Sequence, residues 1–191
     1  RLSLVGSEMC IRDRKYIKRA IKYADDNDIG VLIDMHGAYG SQNAQPHSGV
    51  NNGKADFFND FNENKMTKLL VWLVQELEDV SNVIGIELLN EPHNTKRLWK
   101  WYSRTMDAMR KAQTKSRDMP LYFHDAFSPS QGAEFASKRN DFVVQDTHSY
   151  FVYTQQDRDM SASKHTSHIE GQVQESMSKL ADKAVSYTHL T

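Results

Sequence analysis

Short apolar runs alternate with amphipathic helical stripes along most of this chain, and few folds accommodate that alternation. Ile29 to Met35, Val83 to Leu89, Leu121 to Phe127 and Phe142 to Tyr150 read as strands. The second run, VIGIELL, is continuous and rich in Ile, Val and Leu. Such a run suits a strand buried on both faces of a parallel sheet. Helical stripes lie around the strands. Ile17, Ala20, Ile21 and Ala24 form the first, and Met66, Leu69, Leu70, Leu73, Val74 and Leu77 the second. Leu98, Trp101, Tyr102, Thr105 and Met109 form another, and a weaker pattern covers Gln131 to Lys138. A last helix is expected from about His168 to Ala184, with Ile169, Val173, Met177 and Leu180 on one face. Parallel strands joined by helical crossovers satisfy this order. A closed eightfold barrel typically takes ~250 residues, and this chain has 191. The expected architecture is therefore α/β, a partial (β/α)8 TIM barrel truncated at both ends. A complete, open four-stranded sheet is the alternative.

Charge excludes some partners. With 24 basic and 25 acidic side chains the net charge is -1, which gives no reason to expect nucleic acid or an anionic membrane surface. No apolar stretch approaches the ~20 residues that a spanning helix needs. Cys10 is the only cysteine, so no internal disulfide can form. The ends differ from the rest. Residues 1–14 (RLSLVGSEMCIRDR) and 185–191 (VSYTHLT) do not continue the neighbouring patterns and resemble translated adaptor sequence. They are expected to be non-native, leaving 15–184 as the credible domain.

Polar residues gather where the strands stop. His36 ends the first, Asn90-Glu91 the second, Asp125 the third, and His148 with Tyr150 the fourth. In a barrel these ends meet at one mouth, where such enzymes place their chemistry. Pro92 stops the ladder after Glu91, and a glutamate there is a candidate general acid or base. A long polar loop, about Ala38 to Asp60, follows His36. Loops of that length in compact domains usually bind something. Gln42 and Asn43 in it are candidate sugar contacts, as is Tyr39, and Gly37 and Gly40 permit a tight backbone. His165 and His168 have helical spacing but lack a second ligand pair, so they read as solvent-facing, and no metal site or cofactor is expected. Trp99, Trp101 and Tyr102 read as helix-to-barrel packing.

These stretches together carry a resemblance. VIGIELLNEP, preceded by VLIDMHGAYGSQN and followed by FHDAF and DTHSYFVY, resembles glycoside hydrolase family 5, closest to its fungal exo-β-1,3-glucanases. The resemblance spans about Lys15 to Ala184 and implies strands three to six of a (β/α)8 barrel. It implies a retaining hydrolase of β-glucan, with Glu91 as acid/base. Asn90 would bind the sugar 2-hydroxyl and the nucleophile. His36 would line the subsite where the bond breaks. His148 would lie near the acid/base and Tyr150 near the nucleophile. Asp125, from its strand-end position alone, is a further candidate substrate contact. It also implies secretion or a cell-wall location, and the complete protein is expected to act as a monomer.

Retention needs two carboxyls ~5–5.5 Å apart, and the proton donor should have a pKa above the ~4.3 of free glutamate. Glu87 lies four residues before Glu91 on one strand, ~13 Å away, too far for that pair. It is expected to be a paired structural charge. The resemblance places the nucleophile in a Gly-Glu motif ending strand seven, and no Gly-Glu pair follows Glu91. The nucleophile is thus expected to lie outside this sequence, leaving the chain inactive alone. Endo-acting β-1,4- or β-1,6-glucanases and a non-catalytic carbohydrate-binding barrel are the competing readings.

Overall fold

The computed structural model describes residues 8–49, 52–114 and 119–181. Its elements run α1 (Glu8–Asp25), β1 (Val31–Asp34), a 3₁₀ turn (Pro46–Ser48), α2 (Asp60–Leu77), β2 (Val83–Glu87) and α3 (Lys96–Ala112). They continue with β3 (Leu121–His124), α4 (Pro129–Ser137), β4 (Val143–Asp146), α5 (Gln155–Asp159) and α6 (Ala162–Ala181). The four strands form one parallel sheet in the order β1-β2-β3-β4. Each strand lies beside the next in sequence, as in successive staves of a barrel.

The four expected strands are all present, but each formal strand is shorter than its apolar run. Single ladder-like bonds carry the pairing further. Met35 N donates to Glu87 O at 3.2 Å, Asn90 N to Met35 O at 3.1 Å and Asp125 N to Asp146 O at 3.0 Å. These bonds hold the strand ends level with one another, and that alignment assembles the site.

The core lies between the sheet and helices α2 and α3. Every residue of the expected α2 stripe is buried, and so are Leu98, Trp101, Tyr102, Met106 and Met109 of α3. Each such large apolar side chain contributes about 1.5–3 kcal/mol by leaving water. Phe57 and Trp101 meet edge to face, 4.9 Å between centroids. Side-chain caps fix where both helices begin: Asn59 accepts from Asn62 N, and Thr95 from Leu98 N. A buried charge locks the pair. Glu63 of α2 has no exposed surface and meets the guanidinium groups of Arg97 and Arg104 on α3. The aromatic residues of α3 are packing residues, as expected. Trp101 Nε1 donates to Glu63 O, and Tyr102 OH donates to His124 O at 3.1 Å.

The C-terminal helices depart from expectation. The last helix starts at Ala162 rather than about His168, and the separate short helix α5 precedes it. Its signal was a capping box, Thr154 with Asp157, rather than apolar periodicity. Val173, on the apolar face of the last helix, is exposed. His165 and His168 are half-buried rather than solvent-facing, with His168 Nε2 3.9 Å from Asp157 Oδ1. The end of the last helix at Ala184 and the segment 185–191 lie outside the described residues, as does 1–7. Helix α1 begins at Glu8, inside the N-terminal segment set apart in the sequence.

Candidate active site

Glu91 stands just beyond β2, followed by Pro92, and its backbone is left-handed, with φ 44. Ser41, Ala44, Ala126 and Phe127 share this unusual conformation. All five follow β1, β2 or β3 at the same end of the sheet. Backbone of this kind costs of order 1–3 kcal/mol per residue and gathers where function holds it.

The Glu91 carboxylate is tied on both oxygens. Oε1 lies 2.7 Å from His148 Nδ1 and accepts the Tyr150 hydroxyl. Oε2 lies 3.6 Å from His47 Nε2. His148 Nε2 is 2.9 Å from Asp146 Oδ2, so the imidazole bridges two carboxyls. The His124 ring meets the His148 ring edge to face at 4.5 Å. On the other side, the His36 ring is 5.5 Å from His47, and His36 Nδ1 is 2.8 Å from Asp34 Oδ2. Four strand ends and one loop thus contribute to one cluster, hydrogen-bonded around Glu91 and His148 and extended by ring contacts to His124 and to His36.

These contacts set the charges. Burial pushes the Glu91 carboxyl up, but the hydrogen bonds from His148 and Tyr150 and the charges of His148 and His47 outweigh it and hold it below its ordinary value. This corrects the expectation of a raised acid/base. The physical reason is that the groups touching Glu91 donate protons or carry positive charge; a second carboxylate at the retaining distance would act in the opposite sense. Burial lowers His148, yet the bond to Glu91 and the charge of Asp146 raise it overall. Tyr150 is pushed up to about 12, chiefly by its bond to Glu91. His124 is lowered, first by burial and then by His148.

Glu87 differs from expectation. It is not a paired charge. It is 3% exposed, its Oε1 has no hydrogen-bond partner, and its neighbours are acids. Burial, then the charges of Asp146 and Asp34, push it up to about 8. Parallel register sets Asp34 directly beside Glu87, which is why the charges crowd there.

The other candidates separate into two groups. His36, Glu91, His148 and Tyr150 belong to the cluster. Asn90 is buried, with its carbonyl accepting from Gln42. Gln42 is corrected: it is fully buried and its amide is spent on Ala38 N, His36 O and Asn90 O. It staples the loop to the β2 end and is closed to a sugar. Asn43 lines the cleft, but its amide donates to Glu91 O at 2.9 Å and also meets His47. Asp125 is likewise corrected. It is fully buried, and its Oδ2 accepts from Thr147 at 2.7 Å and Gln145 at 3.1 Å. Strand alternation explains this, because His124 and its neighbour Asp125 point opposite ways. By the same alternation Asp146, two residues before His148, lies on the face of His148. His47 had no periodic signal; a turn in the loop delivers it.

Beside Glu91 opens a cleft of ≈ 540 Å³, walled by His47, His93, Asn94, Phe127, Tyr150 and Tyr153. Ligand atoms of Glu91, His124 and His148 lie within 4.8 Å of one another, a spacing that a metal ion could span. The hydrogen bonds use those atoms otherwise. Both His148 nitrogens face carboxyls, and His124 Nδ1 accepts from Ala126 N at 3.0 Å, which leaves a proton rather than a lone pair on Nε2. The arrangement suits proton transfer better than metal binding.

Known proteins share this arrangement of strands. The Aspergillus niger rutinosidase structure superposes with a TM-score of 0.68 at 17% identity, covering 85% of this chain and 50% of that one, a likeness of fold. Glucan 1,3-beta-glucosidase 3 of Schizosaccharomyces pombe is 31% identical over 137 residues, 70% of this chain and 28% of that protein. Glucan 1,3-beta-glucosidase I/II of Saccharomyces cerevisiae is 30% identical over 160 residues, 78% of this chain and 35% of that protein. The chain thus spans about a third of the length of these relatives. The family model described as Cellulase (glycosyl hydrolase family 5) matches residues 12–188. A match over nearly the whole chain leads to one conclusion: this chain belongs to glycosyl hydrolase family 5.

Proposed function

We propose that this chain supplies the acid/base side of a retaining β-glucan hydrolase, a glucan exo-1,3-β-glucosidase, with Glu91 as the proton donor. The observation that carries this reading is Glu91 itself, lining a cleft at the strand ends with Oε1 held by His148 and Tyr150. The names of the relatives supply the substrate class, β-1,3-glucan. Exposed rings of Phe127, Tyr150 and Tyr153 give the cleft aromatic faces suited to sugar rings.

In this reading Glu91 protonates the leaving oxygen, then takes a proton from the water that hydrolyses the glycosyl-enzyme. The nucleophile is a second carboxylate, and its charge raises the Glu91 pKa when both are in place. Asn90 holds the sugar 2-hydroxyl, His36 borders the broken bond, and Tyr150 lies toward the nucleophile. Secretion or a cell-wall location belongs to the same proposal.

The test is Glu91→Gln in a barrel completed to the length of its relatives. Hydrolysis of a β-1,3-glucoside with a poor leaving group should fall about 10²–10⁴-fold, the usual contribution of a positioned acid. An activated aryl glucoside should keep its first step, since its leaving group departs without a proton. Normal rates on both substrates would remove Glu91 from the mechanism.

A further inference from the structure

The network behind Glu91 contains a group that the reaction above does not use. Asp146 on β4 is not part of the cleft wall. Its Oδ2 lies 2.9 Å from His148 Nε2, while His148 Nδ1 lies 2.7 Å from Glu91 Oε1. A ring so placed carries news of one carboxyl to the other. We propose that Asp146 is a positioning residue: through His148 it holds a proton at the Glu91–His148 contact, and thereby sets the alkaline limit of turnover. This rests on the reading of Glu91 as acid/base.

At 2.7 Å a proton lies between Glu91 Oε1 and His148 Nδ1. Two groups this close lose protons as a pair, and the alkaline limb of activity belongs to the pair. The Asp146 carboxyl, 2.9 Å from His148 Nε2, acts on it in two ways. It accepts Nε2–H, which fixes ring orientation and tautomer and leaves Nδ1 for Glu91. Its negative charge also makes the pair release its proton at higher pH.

The neighbouring carboxyl from β2 is the one that holds a proton. Glu87 lies against Asp146, 3% exposed, with Oε1 unpartnered. Burial, then the charges of Asp146 and Asp34, push Glu87 up to about 8, so it keeps its proton there. The other groups facing this cluster are His47 from the loop after β1 and Tyr150 beyond β4, both on Glu91, with Asp34 from β1, Tyr122 and His124 from β3, and Tyr102 from α3. Tyr102 and Tyr122 are pushed up, first by burial, and so stay neutral. Burial is also the first cause that lowers His124. Of the groups touching His148, Asp146 is thus the charge that Glu91 does not itself supply.

The experiment measures kcat/KM against pH in the completed barrel, for wild type, Asp146→Asn, Glu87→Gln and Glu91→Gln. With an unactivated β-1,3-glucoside, Asp146→Asn should move the alkaline limb down by about one pH unit. The first step with an activated aryl glucoside, which needs no proton, should keep its profile. Glu87→Gln mimics the protonated acid and should move the limb far less. In the wild type, ¹⁵N spectra of His148 should show Nε2 still protonated through the alkaline limb while Nδ1 changes. That measurement decides the matter if Asp146→Asn does not fold. An unmoved limb in folded Asp146→Asn, or Nε2 losing its proton first, overturns the proposal. A limb that moves equally in Glu87→Gln also overturns it, because the controlling charge would then be Glu87. If Glu91→Gln still collapses in those cases, only this inference fails. If Glu91→Gln is fully active, the acid/base reading fails first.

Discussion

Glu87 ends β2 and Glu91 follows four residues later, yet the two have opposite electrostatics, because their neighbours differ. Glu91 meets a phenol and two imidazoles and is held low; Glu87 is held high, first by burial and then by two aspartates. The Glu87 proton has a consequence for stability. In the unfolded chain a glutamate ionises near its ordinary 4.5, while in the fold it ionises at about 8. Between these values folding must bind a proton, so this group costs stability increasingly as pH rises from 4.5 and fully above 8. Glu87→Gln should therefore stabilise the fold by on the order of 2–4 kcal/mol near neutral to mildly alkaline pH, with almost no gain near pH 4.5. Thermal unfolding of both proteins across that range checks it; a gain that does not depend on pH would mean that Glu87 is not the proton carrier. The residue types at the strand ends were legible in the sequence, since chain position alone places them at the mouth. Their charge states were not. Those depend on neighbours from other strands, such as His148 and Asp146, that no local pattern reveals.

The loop after β1 shows how an element without periodic signal is built. Gly40, at φ 78, brings the backbone so close to Asp56 that an added Cβ would lie 2.9 Å from its carbonyl. Asp56 N and Phe57 N donate back to Gly40 O and Ser41 O, and the Ser41 and Ser48 hydroxyls meet at 2.6 Å. Gln42 then ties this closed loop to the β2 end. Gln42→Ala would leave a buried N–H and two carbonyls without this partner. It should lower stability by about 2–4 kcal/mol, at ~1 kcal/mol or more for each lost or orphaned bond. A lower Tm would bear out the staple. Unchanged Tm with a raised KM would instead return Gln42 to the role of sugar contact. The loop's length and polarity are those of a segment that shapes a site. Which polar residues face inward could not be read, because turn chemistry rather than a period of two or 3.6 directs them. Helix α5 escaped notice for the same reason: a capping box carries no apolar stripe. Helices α2 and α3 have such stripes, and their buried faces matched the reading residue by residue.

At the scale of the molecule, β1 and β4 each pair on one side only within the described sheet, and Leu32, Phe142 and Tyr150 are exposed. Unpaired edges with exposed apolar residues invite other chains. The 191-residue chain alone should self-associate and show no turnover of β-1,3-glucan. Size-exclusion chromatography with an activity assay checks both, and a stable monomer that hydrolyses the glucan would contradict them. The parallel order of the strands was legible because βαβ crossovers permit little else. The family followed from the same strand ends, whereas linkage specificity rests on loops from the whole barrel. The role of Glu91 remains the central claim, and azide tests it most directly. In a completed barrel, Glu91→Ala should form the glycosyl-enzyme from an activated aryl β-glucoside and then stall, since water has no base. Azide needs none, so it should restore turnover and yield the β-glucosyl azide, having entered from the face where Glu91 stood. An α-configured product would make Glu91 the nucleophile and contradict the account.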